Sequence, residues 1–222
     1  MNENESFPER PQSQPPSRSE VKREVIEFIK MVAWFLVLFF ALRTYVIEGY
    51  EVQGPSMRPT LEDRERILVF KLPHLLSQFR WLSGIDAVEP GDIVVFESPD
   101  DQDKRYVKRV IAKGPKKTPS NTVGAEEHGS PSRPEPGAKV VIEGNTVYVN
   151  NQRIHEDYLQ ADHATTDGDS EEVLLGPGKY YVLGDNREVS KDSRSFGPIE
   201  DDTIVGTALL RFWPPNKISI LR

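Results

Sequence analysis

At residues 54–61 the sequence reads Gly54-Pro55-Ser56-Met57-Arg58-Pro59-Thr60-Leu61. The segment before it is extended in character, because Tyr50 and Val52 alternate with polar residues as in a half-buried strand. The Gly-Pro pair breaks this strand, which places Ser56 at its end. Such a serine can attack a carbonyl carbon if a neighbouring base takes its proton, although Gly-Pro-Ser is also an ordinary turn sequence.

The base for this serine has to come from elsewhere in the chain. Histidine is the usual choice, but none of the four histidines lies in a recognisable motif, and we interpret all four as surface residues. They are His74, His128, His155 and His163. The segment around Ser56 also lacks the Gly-x-Ser-x-Gly pattern, which argues against an α/β-hydrolase.

Lys108 is a second candidate base. Residues 106–111 read Tyr-Val-Lys-Arg-Val-Ile, and this pattern predicts a strand with Tyr106, Lys108 and Val110 on one face. A lysine acts as a base only when it is neutral, and lowering its pKa from about 10.4 to about 7 requires roughly 4 to 5 kcal/mol, which burial can supply. The alternative interpretation is an exposed strand lysine beside Arg109.

A polar segment at residues 184–197 follows the apolar run 180–183. Its alternating charges can pair in a fixed network, and Ser190 can hydrogen-bond the lysine and orient it. The charged residues are Asp185, Arg187, Asp192 and Arg194. A solvated loop with Asn and Asp at its turns is the alternative interpretation.

The amino-terminal part of the chain differs in composition from the rest. Residues 1–20 are rich in Pro, Ser, Glu and Arg and predict a disordered tail. Residues 21–46 predict a helix that is apolar on all sides. Its uncharged run, residues 31–42, spans only about 18 Å, so a buried core helix is one interpretation. We favour a transmembrane anchor, extended by the long side chains of Lys30 and Arg43.

The charges around this helix predict its orientation. Lys22, Arg23 and Lys30 precede the apolar run and Arg43 follows it, so the amino terminus is expected in the cytoplasm. No small-x-small cleavage pattern follows the run, which indicates an anchor that is retained. Residues 47–222 would then form an extracytoplasmic domain tethered to the plasma (inner) membrane.

Short β-rich runs separated by turn pairs occupy the remaining chain and predict a mainly β, antiparallel domain. These runs are residues 67–71, 92–97, 105–111, 139–142, 146–149, 179–183 and 203–213. Between residues 115 and 137 the sequence is polar and poor in apolar residues, which predicts a surface loop.

Composition excludes several classes of function. The 222 residues carry 28 Lys and Arg against 35 Asp and Glu, a net charge of −7, so no nucleic-acid partner is expected. The absence of cysteine excludes a thiol nucleophile, a disulfide framework and a Cys-ligated zinc site. We predict no cofactor and no metal.

Together these segments resemble type I signal peptidase, the membrane-bound serine protease that removes signal peptides with a Ser-Lys dyad. The resemblance covers most of residues 25–215. It is carried by the hydrophobic anchor, residues 54–61, Gly91-Asp-Ile-Val-Val-Phe96, Tyr106-Val-Lys-Arg-Val110, Val147-Tyr-Val-Asn150, and Gly184-Asp-Asn-Arg187 with the Ser-x-Asp-Ser-Arg-x-Phe-Gly that follows.

The resemblance implies a role for each candidate residue. Ser56 is the expected nucleophile, and Lys108 is the expected general base that later protonates the leaving amine. Ser190 would hold the Lys108 side chain in place. The expected supporting network consists of Asp185, Arg187, Asp192 and Arg194, with Arg109 as a partner for one of the carboxylates.

The resemblance also implies the substrate, which is the signal peptide of an exported preprotein, and a lipid bilayer as the place of action. An extended peptide would add as a strand beside residues 50–56 and 106–108. Small pockets would favour alanine-like residues one and three positions before the cut. The candidate pocket residues are Tyr50, Val52, Met57, Leu61, Tyr106 and Val107.

Two features depart from the family pattern. Some members have a serine two residues before the nucleophile, whose hydroxyl helps to bind the oxyanion, and this chain has Gly54 there. The family usually continues after the lysine strand with Gly-Leu-Pro-Gly-Asp, whereas residues 112–115 read Ala-Lys-Gly-Pro. Two rival functions are an inactive membrane-tethered binding protein of the same fold and another Ser-Lys protease. A self-cleaving repressor is one such protease, but that class cuts itself at Ala-Gly, a dipeptide that this sequence lacks, and has no membrane anchor.

Overall fold

The computed structural model describes residues 18–72, 88–101, 103–117, 137–144, 146–159 and 171–221. The chain divides into two compact units, Met1–Leu42 and Arg43–Arg222. Most of the predicted disordered tail and of the 115–137 loop lies outside the described residues. The same is true of His74, His128 and His163.

Helix α1 comprises Arg18–Tyr45, close to the predicted range of 21–46. The segment contains neither glycine nor proline and is rich in good helix formers. Every side chain described between residues 22 and 43 is exposed. Within the described part of the chain, no helix has both the length and the apolar character that crossing a membrane requires.

The described part of the second unit consists mainly of β-strands. They are β1 Ile47–Glu51, β2 Arg66–Phe70, β3 Ile93–Glu97, β4 Arg105–Lys113, β5 Lys139–Glu143, β6 Thr146–Val149, β7 Gln152–Arg153, β8 Glu171–Leu174, β9 Lys179–Leu183, β10 Ile199–Glu200, β11 Ile204–Trp213 and β12 Ser219–Ile220. A short helix, α2 Ser193–Phe196, and 3₁₀ turns at Asp201–Thr203 and Pro215–Lys217 are also present among the described residues. The prediction of a mainly β, antiparallel domain is confirmed.

The larger sheet has eight strands in the order β1-β2-β11-β3-β4-β9-β10, and β12 pairs with β11. All of these pairings are antiparallel. Strand β11 lies between β2 and β3. Because an even number of antiparallel pairings separates β1 from β4, these two strands run in the same direction.

The smaller sheet has the order β7-β6-β5-β8 and is also antiparallel. A tight turn at Asn150-Asn151 joins β6 to β7, with both residues in the left-handed region at φ 52° and 65°. Asparagine tolerates this conformation better than most residues, which explains the Asn-Asn sequence at a two-residue hairpin turn.

The hydrophobic core positions the segment that carries Ser56. One cluster packs Met57 and Leu61, both fully buried, against strand residues that include Ile67 and Val95. A second cluster joins the end of β4 and strand β9 to the smaller sheet. The 54–61 segment and the smaller sheet are therefore both fixed to the larger sheet by buried apolar side chains.

Candidate active site

Ser56 lies in a turn that follows β1 and is held at both ends. Upstream, the N–H of Val52 donates to Glu65 O and the N–H of Arg64 donates to Val52 O, each at 2.8 Å. Gly54 has φ +87°, a conformation that glycine adopts without strain, and its N–H donates to Asp63 Oδ1 at 2.7 Å. The chain thus turns sharply before Ser56.

Two arginines hold Thr60, which lies four residues after the serine. Arg211 Nη1 donates to the carbonyl oxygen of Thr60 at 3.1 Å. Arg109 Nη2 lies 3.4 Å from the Thr60 hydroxyl. Within the turn itself, the N–H of Leu61 donates to Met57 O at 2.8 Å. These contacts, with the buried side chains of Met57 and Leu61, fix the backbone on both sides of the serine.

Lys108 is on β4, and its Nζ lies 2.9 Å from Ser56 Oγ. The same nitrogen lies 3.0 Å from the carbonyl oxygen of Val107 and 5.5 Å from the centre of the Tyr106 ring. The lysine is only 4% exposed. Burial lowers the pKa of Lys108 to about 8, and the negative charges of Asp192 and Asp185 partly oppose this effect. Ser56 and Lys108 are therefore brought together with the lysine in a state that deprotonates readily.

Arg109, the next residue on β4, pairs with Asp185. Its Nε and Nη2 donate to the two carboxylate oxygens at 2.9 and 2.8 Å, and both side chains are almost fully buried. Its Nη1 also donates to Gly91 O at 2.8 Å. The structure thus shows the predicted pairing of Arg109 with one of the carboxylates, in the bidentate geometry that is strongest for such pairs.

Asp192 organises the polar segment that follows β9. Its carboxylate caps helix α2, accepts from the N–H of Gly184 at 3.0 Å, and pairs with Arg194 at 2.8 Å. Arg194 Nη2 in turn donates to the carbonyl oxygen of Arg187 at 2.7 Å. The segment is therefore a rigid structure held by ion pairs, as its alternating charges predict, and not a solvated loop.

This segment packs directly against Ser56. The N–H of Asn186 donates to the carbonyl oxygen of Ser56 at 3.0 Å. A Cβ at Gly184 would lie 2.6 Å from the same oxygen and would also collide with the side chain of Ser190. Only glycine fits at position 184, because the backbone of Ser56 occupies the space that a side chain needs.

The position of Ser190 differs in one respect from the sequence prediction. Its hydroxyl is buried and, among the described residues, has no hydrogen-bond partner, whereas we predict that it contacts Lys108. The Lys108 Nζ instead takes Ser56 Oγ and Val107 O as its hydrogen-bond partners. The predicted role of Ser190 in orienting the lysine stays a prediction.

Two residues that the sequence analysis missed belong to this network. Glu156 forms an ion pair with Arg187, which has no exposed side-chain surface. The ring of Tyr158 lies over the Arg109 guanidinium, with 4.0 Å from Cζ to the ring centre, and its hydroxyl donates to Glu156 Oε1 at 2.6 Å. Both follow β7 in a segment of ordinary composition, so no local pattern distinguishes them. Arg187 was predicted to belong to the polar network, without Glu156 as its named partner.

A cleft of about 510 Å³ leads to the dyad. Strand β1 and the residues after it form one wall, and residues 103–108 with Val189 and Lys191 form the other. Four of the predicted substrate-binding residues line it: Tyr50, Val52, Tyr106 and Val107. Met57 and Leu61 do not, because both are packed in the core. Among the described residues, no cluster of His, Cys, Asp and Glu side chains is arranged to hold a metal ion.

The chain is similar to known proteins over most of its length. The family model for signal peptidase, peptidase S26, matches residues 25–119 and 135–213. Signal peptidase IB of Staphylococcus aureus (strain COL) is 34% identical over 209 residues, covering 87% of this chain and 92% of that protein. Signal peptidase I of Bacillus licheniformis is 31% identical over 205 residues, covering 89% and 93%.

A crystal structure of a signal peptidase I from Enterococcus faecalis is also similar, with 26% identity and a TM-score of 0.38 over 54% of this chain and 95% of that one. The family model and the two sequence relatives agree on one assignment. The chain belongs to the type I signal peptidases, the serine peptidases of the S26 family.

Proposed function

We propose that this chain cuts the signal peptides of exported preproteins with a dyad of Ser56 and Lys108. The observation that carries the proposal is the distance of 2.9 Å between Lys108 Nζ and Ser56 Oγ. The burial of Lys108 supports it as well, because a neutral amine is the form that accepts a proton.

In the acylation step Lys108 takes the hydroxyl proton while Ser56 Oγ bonds to the carbonyl carbon of the scissile peptide bond. The carbon–nitrogen bond then breaks, and the Lys108 ammonium gives the proton to the leaving amine. In the second step the neutral Lys108 takes a proton from water, whose oxygen attacks the carbonyl carbon of the ester. The bond from that carbon to Ser56 Oγ then breaks, and the Lys108 ammonium returns the proton to Ser56 Oγ. The lysine and water account for every proton, so the proposed mechanism uses no cofactor.

The backbone N–H of Ser56 is proposed to stabilise, by a hydrogen bond, the negative oxygen that forms during attack. Position 54 is a glycine, so the hydroxyl that some family members offer there is missing. The turn around Ser56 is fixed by the contacts of Thr60, Met57 and Leu61. An N–H that a fixed turn holds in one orientation needs little reorganisation during the reaction.

The ion pairs around the dyad are assigned a positioning role. Asp185 and Asp192 are paired with Arg109 and Arg194. The charges of the two carboxylates raise the pKa of Lys108 less than burial lowers it. Arg187 belongs to the same network through its bond to Gly184 O. Ser190 stays the candidate that orients the lysine.

The cleft is proposed to bind the end of the signal peptide. An extended peptide can hydrogen-bond to the backbone of both walls, which run in the same direction towards Ser56 and Lys108. Tyr50, Val52, Tyr106 and Val107 narrow the cleft and favour small side chains before the cut, as in Ala-x-Ala.

Helix α1 is proposed to attach the chain to the inner membrane, with the amino terminus in the cytoplasm and the peptidase domain outside. Large apolar side chains such as Trp34, Phe35 and Leu38 are 74%, 63% and 58% exposed, and lipid would cover them. Sodium carbonate extraction of membranes and protease protection of spheroplasts test this attachment and its orientation. Release of the full-length chain by carbonate would contradict it.

The function is tested by incubating the detergent-solubilised chain with a preprotein whose signal ends in Ala-x-Ala. Wild type is expected to cut after the last alanine, and Ser56→Ala and Lys108→Met are each expected to lose about 10⁴-fold or more in kcat. Ser195→Ala and Lys116→Met, at exposed positions outside the cleft, serve as matched controls. Mass spectrometry of the product gives the cleavage site.

The same experiment separates the rival functions. A wild type that is inert on several preproteins, and that no serine-directed acylating probe labels at Ser56, would favour an inactive binding protein. Labelling of Ser56 without cleavage of any preprotein would favour another Ser-Lys protease. Full activity of Ser56→Ala would exclude the proposed dyad.

A further inference from the structure

We propose that Glu156 and Tyr158 are positioning residues for the dyad, acting through Arg187 and Arg109; this inference rests on the proposed function. They lie in a segment, residues 154–159, that leaves the smaller sheet after β7. Through them the smaller sheet contacts the two arginines that hold the Ser56 and Lys108 backbones. No substrate contact is needed for this role.

The first contact acts on the Ser56 side. The Glu156 carboxylate is only 8% exposed and forms an ion pair with Arg187, whose side chain is fully buried. Arg187 Nε donates to the carbonyl oxygen of Gly184 at 3.0 Å. Two residues later in the same turn, the N–H of Asn186 donates to Ser56 O. Glu156 therefore fixes the turn that holds the backbone of the nucleophile.

The second contact acts on the Lys108 side. The Tyr158 ring covers one face of the Arg109 guanidinium, at 4.0 Å, while Asp185 and Gly91 O accept from its edges. A cation held against an aromatic face and by two acceptors in its plane has little freedom to move. Because Arg109 follows Lys108 directly on β4, a fixed Arg109 limits the movement of the lysine backbone.

Glu156 and Tyr158 also hold each other. Burial raises the pKa of Tyr158, and the neighbouring Glu156 carboxylate raises it further, so the phenol keeps its proton and donates to Glu156 at 2.6 Å. The segment itself is tied to the smaller sheet by the N–H of Ile154, which donates to Val147 O at 3.0 Å. The two contacts thus form one unit that is anchored outside the larger sheet.

The test compares Glu156→Gln, Tyr158→Leu and Tyr158→Phe in the full-length chain, with preprotein cleavage as the readout. We expect kcat to fall by about 10²-fold in Glu156→Gln and Tyr158→Leu while KM changes little, because misplacement of the reacting groups affects the chemical step more than peptide binding. Tyr158→Phe keeps the ring over Arg109 and is expected to recover most of the kcat lost in Tyr158→Leu.

Matched changes elsewhere in the smaller sheet control for a general loss of stability. Tyr148→Leu on β6 and Glu172→Gln on β8 make the same substitutions in the smaller sheet, where Tyr148 lies opposite Val141 and Glu172 forms an ion pair with Lys139. Thermal unfolding of every variant is measured in parallel, and rates are expressed per folded molecule. The controls are expected to keep the wild-type kcat.

The outcomes distinguish this inference from the proposed function. An active wild type with unchanged kcat in Glu156→Gln and Tyr158→Leu would overturn the positioning role alone. Equal loss of kcat in Tyr158→Phe and Tyr158→Leu would overturn the role of the ring. If the controls Tyr148→Leu and Glu172→Gln lost as much kcat as the test variants, the loss would reflect a general decrease in stability, and the positioning role would be overturned. A wild type that cuts no preprotein would remove both the function and this inference.

Discussion

Arg109 and Asp185, which are 76 positions apart in the sequence, face each other through two hydrogen bonds of 2.9 and 2.8 Å. Their side chains are 3% and 1% exposed. The carboxylate raises the pKa of Lys108 against the larger effect of burial. The pair thus contributes both to the position of the lysine and to its protonation.

Replacing Asp185 by Asn is expected to lower the pKa of Lys108 below about 8, because one of the negative charges that stabilise the ammonium is removed. The acidic limb of the kcat/KM profile should therefore move to lower pH. The same change leaves a buried guanidinium without this carboxylate and should cost about 3 to 5 kcal/mol in the free energy of unfolding. Asp202→Asn, at an exposed position, is the control, and a limb that moves to higher pH would contradict the prediction.

The wild-type enzyme is expected to gain activity as the pH rises through about 8, the value to which burial lowers the pKa of Lys108. Below that pH the lysine is protonated and cannot accept the serine proton. At pH 6 the expected kcat/KM is about 100-fold below its plateau, since a base two pH units below its pKa is about 1% neutral. Initial rates on a preprotein between pH 5 and 10 give the profile, and full activity at pH 5 would rule out Lys108 as the base.

Lys108→Met should be inactive but more stable than wild type near neutral pH. Below about pH 8 Lys108 is charged in both the folded and the unfolded state, so the folded state bears the full cost of a desolvated ammonium. As the pH rises from about 8 to 10.5, the folded lysine loses its proton first and this cost disappears.

The stabilisation is expected to reach about 3 kcal/mol at pH 7, from the difference between the ordinary pKa of 10.5 and about 8, and to shrink towards pH 10.5. Urea unfolding at pH 7 and pH 10 measures it. A variant that is less stable than wild type at pH 7 would show that the contacts of Lys108 outweigh its desolvation.

Gly184→Ala is expected to reduce kcat strongly and to destabilise the fold by about 1 to 3 kcal/mol. Its Cβ would lie 2.6 Å from Ser56 O, so the serine backbone or the 184–187 turn has to move. Gly176→Ala is the matched control, because a Cβ there meets no atom within 4 Å and the backbone needs no positive φ. Cleavage rates and thermal unfolding of both variants decide the prediction, and equal behaviour of the two would contradict it.

Local patterns in the sequence predicted much of the fold. All seven β-rich runs are strands, because short runs of β-branched and aromatic residues bounded by turn residues are a strong local signal. Four of the described strands were missed. They are β7, β10 and β12, each two residues long, and the four-residue β8, Glu171–Leu174. Such short strands form only where a neighbouring strand offers hydrogen bonds. The position of Ser56 after a broken strand was also correctly predicted.

Contacts between distant segments were harder to predict from the sequence. Met57 and Leu61 were assigned to the cleft, but the turn after Pro55 ends the alternation of the strand and directs both side chains into the core. The pairing of Arg187 with Glu156 joins the segment after β9 to the segment after β7 across 31 positions, and no local pattern encodes it. The sequence thus predicts which residues form the polar network better than it predicts how they pair.

Strand β11 has a consequence for the order of assembly. Ser56 belongs to the β1–β2 hairpin and Lys108 to the β3–β4 hairpin, and the two hairpins share no edge until residues 204–213 insert between β2 and β3. During synthesis on the ribosome both hairpins emerge before β11. A nascent chain therefore carries Ser56 and Lys108 on two hairpins that are not yet joined in one sheet. The proposed nucleophile and its proposed base therefore come together only after nearly the whole domain has been made.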